Sequence, residues 1–520
     1  MPFGESEKPC KQHNRSLPEK HIRLLLAAYG LLNAALYGSL LPLWEGFDEE
    51  FHYGYVQYLG AHASFPVLGA TGLSEEINRS IDLLPMSHVM IDNLHLHGVR
   101  TFSEYFALPG NERRALHDEA WRIPTDLRAV ESMRHYRNYE VHHAPLAYIL
   151  MAIPDTLMQH VPLPRRVWIL RMLVGSACVL LILPAILGLA REFGLDAHYA
   201  AVLAFLLFSS QMFWATIAHI GNDWLSVPLA VWLFALRRKP VWCAVILGLG
   251  LLAKAYFLVF VPVFLVAVYL WKRPALLAIP AAIAGPWYVR NLIVSGNLSG
   301  RLEESSGVTI GGALQALASI PWLKSIPFMA RGAFWMGNST FSDFSIRTMN
   351  TVLLLLVVGL ALAVWRRRAV DAFLWTPVLL FCAAMIYVTG SSYTYTKGLA
   401  IAASPWYLQA IMAPLLCLML LGCQRAARPG SLLAAANVVV WGYVLAATYV
   451  AKLIPLYGGF SEGRSTLRDV FHWYSTDWSR TSEILNTTAL LGAHALVALL
   501  AGVLLTLLAL MTIVTRRLWT

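Results

Sequence analysis

Runs of 18 or more apolar residues recur along the chain, and each reads as a membrane-crossing helix. The first covers about 24–43. Others fall at roughly 168–190, 199–218, 223–237, 275–290, 350–365, 372–390, 406–423, 430–453 and 488–514. The stretch 241–271 begins and ends at basic residues, so it reads as a hairpin of two short helices turning at "LLAKAYF". The pattern predicts an all-α polytopic membrane protein of about twelve transmembrane helices, with large external loops carrying amphipathic helices. The apolar segment 145–160, broken by Pro145, Pro154, Pro162 and Pro164, is expected to lie at the interface rather than cross.

Composition agrees. Of 520 residues, 58% are hydrophobic and 13% charged, against roughly 25% charged in soluble proteins. The net charge of +10 does not mark a nucleic-acid binder. Its cations cluster between apolar runs, at Arg237–Lys239, Lys272–Arg273, Arg366–Arg368, Arg425 with Arg428, and Arg516–Arg517. That is the positive-inside pattern, and it sets both termini and these clusters in the cytoplasm. No small-residue cleavage site follows the first apolar run, which therefore reads as a retained helix. Cys10 lies in the basic tail and the other five cysteines in apolar runs, so neither a disulfide framework nor a zinc site is expected.

This topology divides the chain into a tail (1–21), a first helix (22–43), a long external loop (44–165) and a transmembrane core (166–292). A second long external loop (293–348) follows, then C-terminal helices (349–520) with external loops near 391–405 and 454–486. Polar residues that a membrane protein avoids then converge on the external side. They are Asp48, Glu49, Glu50, His52, His142, His143, Asn222, Asp223, Lys254, Arg290, Asn291, Arg301 and Lys397. Carboxylates and cations together beside a bilayer suit an anionic lipid head group and a reaction that needs a base.

The order of motifs resembles the polytopic glycosyltransferases of the GT-C superfamily, in particular the bacterial relatives of the protein O-mannosyltransferases. In "FDEEFHYGYVQYLG", Asp48 and Glu49 fall on the family's acidic pair and His52 on its histidine. "HHAPLAYIL" matches a His-Pro-Pro-Leu-Tyr-Tyr-like stretch at His143 and Tyr148, departing at Ala144 and Ala147. "WILRMLVGS" places Arg171, and "HIGNDWL" places Asn222 and Asp223. "GLGLLAKAYF" places Lys254, and "GPWYVRN" places Trp287, Tyr288, Arg290 and Asn291. Where relatives carry a late arginine, this chain has Trp406 in "SPWYLQAI", so Arg301 or Lys397 would have to supply that charge.

The resemblance implies inverting transfer of a sugar from a polyprenyl-phosphate carrier to an acceptor hydroxyl, on the external face of the cytoplasmic membrane. Asp48 would be the general base, and Glu49 would orient it or bind the acceptor. Glu50, His52, His143, Tyr148, Arg171, Asn222, Asp223, Lys254, Trp287, Tyr288, Arg290, Asn291, Arg301 and Lys397 would bind substrate. The acceptor would be a glycan, lipid or protein. No cofactor is required; a divalent metal at Asp48 and His52 is the minor alternative, since their spacing equally suits an orienting hydrogen bond. Plainer readings stand beside these: a capping acid cluster at Asp48–Glu49, capping by Asn222 and Asp223, a snorkelling Lys254 and interfacial anchors at Arg171 and Arg290. The competing functions are a transporter or flippase of a lipid-linked or acidic substrate, and a ligase moving a whole lipid-linked glycan. The aromatic segment "FHWYSTDW" at 471–478 reads mainly as an interfacial belt, with sugar stacking as the lesser alternative.

Overall fold

The computed structural model describes residues 19–298, 300, 303, 306–337, 344–460 and 467–518. Cys10 and Arg301 lie outside the described residues. Within them the chain is an all-helical polytopic membrane protein with one small antiparallel ladder, Gly72–Ser74 against Glu131–Arg137.

Among the described residues, eight helices are long and apolar enough to cross a membrane. They are Lys20–Leu40, Leu163–Phe193, Pro274–Ser295, Ile346–Trp365, Ala369–Tyr395, Pro405–Arg425, Ala427–Tyr457 and Ala493–Arg517. Ala197–Phe208 and Gln211–Ile217, bent by 65° at the break between them, make a ninth if they cross together. The expected number was about twelve. The difference lies in 223–271, where helices form but run short, as Asp223–Ala235, Pro240–Ala253 and Ala255–Trp271. A 13-residue helix such as Asp223–Ala235 spans about 20 Å, less than the ~30 Å hydrocarbon core. The break expected inside 241–271 falls at Lys254, whose extended backbone separates two helical segments.

Leu146–Leu157 is likewise too short to cross, as its proline pattern suggests. One face carries Tyr148, Met151 and Asp155 inward, and the other exposes Ile149, Leu150, Ile153 and Leu157. Arg166 stands in the first turn of Leu163–Phe193. It is fully buried and paired with Glu76, with Asp155 at 3.5 Å. Arg128 closes that network on Asp155 at 2.6 Å. Buried charges persist only when paired in this way, and the pairing clamps the segment carrying Glu76 and Arg128 onto the start of Leu163–Phe193.

The loop's short helices start where side chains cap them. Ser74, Ser87 and Thr101 each accept a hydrogen bond from the backbone N–H three residues on. In the core, Lys20–Leu40 packs against Leu163–Phe193 and Ala493–Arg517, while Gln409–Arg425 packs against Ile346–Trp365, Asp223–Ala235 and Ala197–Phe208. This arrangement gathers the ends of the helices starting at Glu49, Leu146, Leu163, Asp223 and Gln409 around the acidic turn.

Candidate active site

The helix Lys20–Leu40 ends and the chain turns through two left-handed residues, Trp44 (φ 65°) and Asp48 (φ 54°), before Glu49–His62 begins. A non-glycine residue held there costs of order 1–3 kcal/mol. Asp48 occupies the N-cap position, yet its side chain makes no capping bond. Its Oδ1 instead accepts a 2.5 Å hydrogen bond from the Tyr139 hydroxyl. Asp48 and the first-turn Glu49 and Glu50 still stand at the positive end of the helix dipole, as the plain acid-cluster reading expects.

The three consecutive acids have three different environments. Asp48 is half-buried; Glu49 and Glu50 are fully buried. Burial alone would push the Glu49 carboxyl up, but the Arg171 guanidinium grips both its oxygens and outweighs that, holding it below the usual range. The Ile220 N–H adds a 2.9 Å bond. Arg171 is itself fixed by the carbonyls of Gly38, Leu41 and Pro42. It is neither a surface anchor nor an open ligand site, and Glu49 is a structural carboxylate that cannot readily take a proton. Glu50 has neither oxygen hydrogen-bonded. Burial, and then the nearby Asp48, Glu49 and Glu45, push its carboxyl far above the usual carboxylate range.

Burial first, and then the like charge of Glu140, push Asp48 up to about 7. Glu140 is also driven up by burial. It lies at 2.6 Å from His143 Nε2 and 3.5 Å from His52 Nδ1. His52 Nδ1 is also 2.8 Å from the Tyr148 hydroxyl, and Tyr148 stacks on Tyr55 at 4.2 Å. Desolvation holds these imidazoles neutral: His52 falls well below its ordinary value, His142 to about 4 and His143 to about 3. His52 is thus oriented by Tyr148 and Glu140. Among the described residues, no group of three His, Cys, Asp or Glu side chains is arranged to hold a metal ion.

Beside this cluster, a cavity of about 440 Å³ has a polar end and an apolar wall. His142, His143, Lys254, Glu303 and Tyr407 line the polar end, with Leu258, Val259, Phe381, Met385 and Val388 along the wall. Lys254 Nζ contacts Asp223 Oδ2 at 2.6 Å and lies 5.1 Å from the Tyr407 ring. The Ser226 hydroxyl donates to the other Asp223 oxygen at 3.2 Å. Lys254 is buried and paired rather than snorkelling. Asn222 is fully buried, does not cap its helix, and has an amide with no hydrogen-bond partner.

The remaining expected residues stand apart from that cavity. Arg290 donates to the Pro66 carbonyl at 3.0 Å and lies over the Trp287 and Phe65 rings. The Tyr288 hydroxyl donates to the Leu251 carbonyl, just before Lys254. Asn291 is buried with its amide nitrogen unbonded, beside Gly300 and the His142 carbonyl. Lys397 is exposed in a left-handed turn, and only its neighbour Thr396 reaches the cavity. Trp406, where the resemblance led to an arginine being expected, stacks on Phe47 at 4.6 Å, one residue before Asp48.

Sequence reasoning missed Tyr139, Glu140 and Tyr407. The signal for the first two lay in "NYEVHH", where a tyrosine and an acid stand one residue ahead of two histidines. Nothing local marks Tyr407 as a partner of Lys254.

The fold and site define a polytopic helical membrane protein with a buried acid cluster beside an amphiphilic cavity. Neither a protein-family model nor a curated protein matches the chain. Among solved structures it is similar to the crystal structure of ArnT from Cupriavidus metallidurans bound to undecaprenyl phosphate. The likeness covers 95% of this chain and 76% of that one, at 14% identity and a TM-score of 0.47.

Proposed function

We propose that the protein is a lipid-carrier-dependent glycosyltransferase that moves a sugar, with inversion, from a polyprenyl phosphate to an acceptor hydroxyl at the external face of the cytoplasmic membrane. The observation that carries this reading is Asp48: a carboxylate tuned to about 7, held at one oxygen by Tyr139 and close to a cavity lined both by Lys254 and by apolar side chains. A base works best when its affinity for protons lies near the working pH.

The donor's isoprenoid lies along Phe381, Met385 and Val388, and its phosphate meets Lys254 at the polar end. The acceptor oxygen attacks the anomeric carbon and its proton passes to Asp48 Oδ2. The bond between that carbon and the phosphate oxygen breaks, and the electron pair leaves on the phosphate. A fixed cation stabilises that growing charge more in the transition state than in the ground state. Glu49 and Arg171 hold the turn that aims Asp48. A glycan, lipid or protein could each supply the hydroxyl.

The test uses purified protein in nanodiscs with a panel of polyprenyl-phosphate sugars and cell-envelope acceptors. Sugar transfer supports the reading. Donor binding with movement between leaflets and no transfer replaces it with a flippase.

A further inference from the structure

The aromatic segment 471–478 is not absorbed by the site above, and it forms one wall of a separate pocket of about 230 Å³. We infer that this pocket is a saccharide-binding subsite, which on the proposed glycosyltransferase reading holds a sugar of the acceptor. The volume is below the ~300–1,000 Å³ of drug-sized sites, on the scale of a single sugar ring. Sugar recognition needs an aromatic face for the C–H side of the ring and charged or amide groups for the hydroxyls. Both are present. Trp473 is half-buried and braced edge-on by Phe460 at 5.2 Å. Asp477 and Arg480, both exposed, supply a carboxylate and a guanidinium on the same pocket.

The backbone is shaped around this space. The helix Leu467–Thr488 departs from helical geometry at Asp477 (φ −119°, ψ 16°), inside the pocket wall. The opposite wall is Gly458–Gly459. A Cβ at Gly458 would come within 2.7 Å of Thr481 Cγ2 and 3.2 Å of Trp473, and Gly459 has φ +90°. Side chains there would close the pocket.

The pocket is also joined to the acid turn. Tyr457, next to Gly458, donates its hydroxyl to Glu45 Oε1 at 3.3 Å, three residues before Asp48. A saccharide seated against Gly458 is therefore one tyrosine side chain from the segment carrying the base.

Saturation-transfer NMR on the full-length protein in nanodiscs tests this with maltotriose, chitotriose, tri-galacturonic acid and glycerol 1-phosphate as probes. The expected result is contact with at least one trisaccharide, reduced fivefold or more in both Trp473→Ala and Arg480→Gln and unchanged in Asp48→Asn. Arg480 is exposed, so its variant reads the pocket without disturbing packing. No trisaccharide contact, contact undiminished in Arg480→Gln, or displacement by glycerol 1-phosphate at equal concentration overturns the inference. The last outcome would make it a lipid head-group site. Saccharide binding without any transferase activity would leave the subsite standing and remove the transferase reading. Transfer with no saccharide contact at this pocket would do the reverse.

Discussion

The Tyr139 hydroxyl donates to Asp48 Oδ1 at 2.5 Å, across 91 residues of chain. This bond stabilises the charged carboxylate and so opposes the upward push of burial. Tyr139→Phe removes it. Asp48 then binds its proton more tightly, and the acid limb of the kcat/KM profile moves to higher pH. At pH 6 the variant should be about tenfold slower, in line with the loss of about 1.5 kcal/mol, the low end for one hydrogen bond to a charged group, with a smaller deficit at pH 9. A uniform loss across pH would mean that Tyr139 only shapes the loop.

For the unmodified protein the same chemistry fixes the sign of the pH dependence. A base with its pKa raised to about 7 is protonated and idle below that value and active above it. Transfer should rise with pH between about 6 and 8. The two carboxyls titrate as a pair, so the measured midpoint belongs to Asp48 and Glu140 together.

Arg171 and Glu49 form a fully buried pair. Removing one charge leaves the other uncompensated, which costs about 3–5 kcal/mol. Arg171→Ala should therefore show a sharply lowered thermal midpoint and lost activity. Glu50→Gln should lower the midpoint far less, because the Glu50 carboxyl has no hydrogen-bond partner for the substitution to break. Thermal unfolding of both variants in detergent compares them directly.

Lys254 and Asp223 separate stability from chemistry. Lys254→Met alone strands Asp223 and should destabilise the protein, while adding Asp223→Leu should recover most of that loss, since an apolar pair often replaces a buried ion pair at little cost. Donor binding should stay lost in the double variant. Restored donor binding would take Lys254 out of phosphate recognition.

The helical membrane class was legible because long apolar runs leave few alternatives. The span number was less so. Helices such as Asp223–Ala235 are as apolar as a spanning helix but shorter, and hydropathy alone does not mark where such a helix stops. Acidic residues at a helix start were visible in the sequence, and so was their concentration near His52 and His143. Their division of labour was not. Which of Asp48, Glu49 and Glu50 is paired, protonated or free depends on Arg171 and Tyr139, distant in sequence and brought in by packing. Arg290 matched a motif in sequence yet points to Pro66 and Trp287, a choice that only the course of the chain around Pro66 determines.

The most direct measurement is sugar transfer by Asp48→Asn in nanodiscs, alongside donor binding. The substitution keeps shape and removes the proton acceptor. The account predicts donor affinity within threefold of the unmodified protein and transfer reduced about 10²–10⁴-fold, the usual contribution of a positioned base. Transfer at the unmodified rate with intact binding would contradict it.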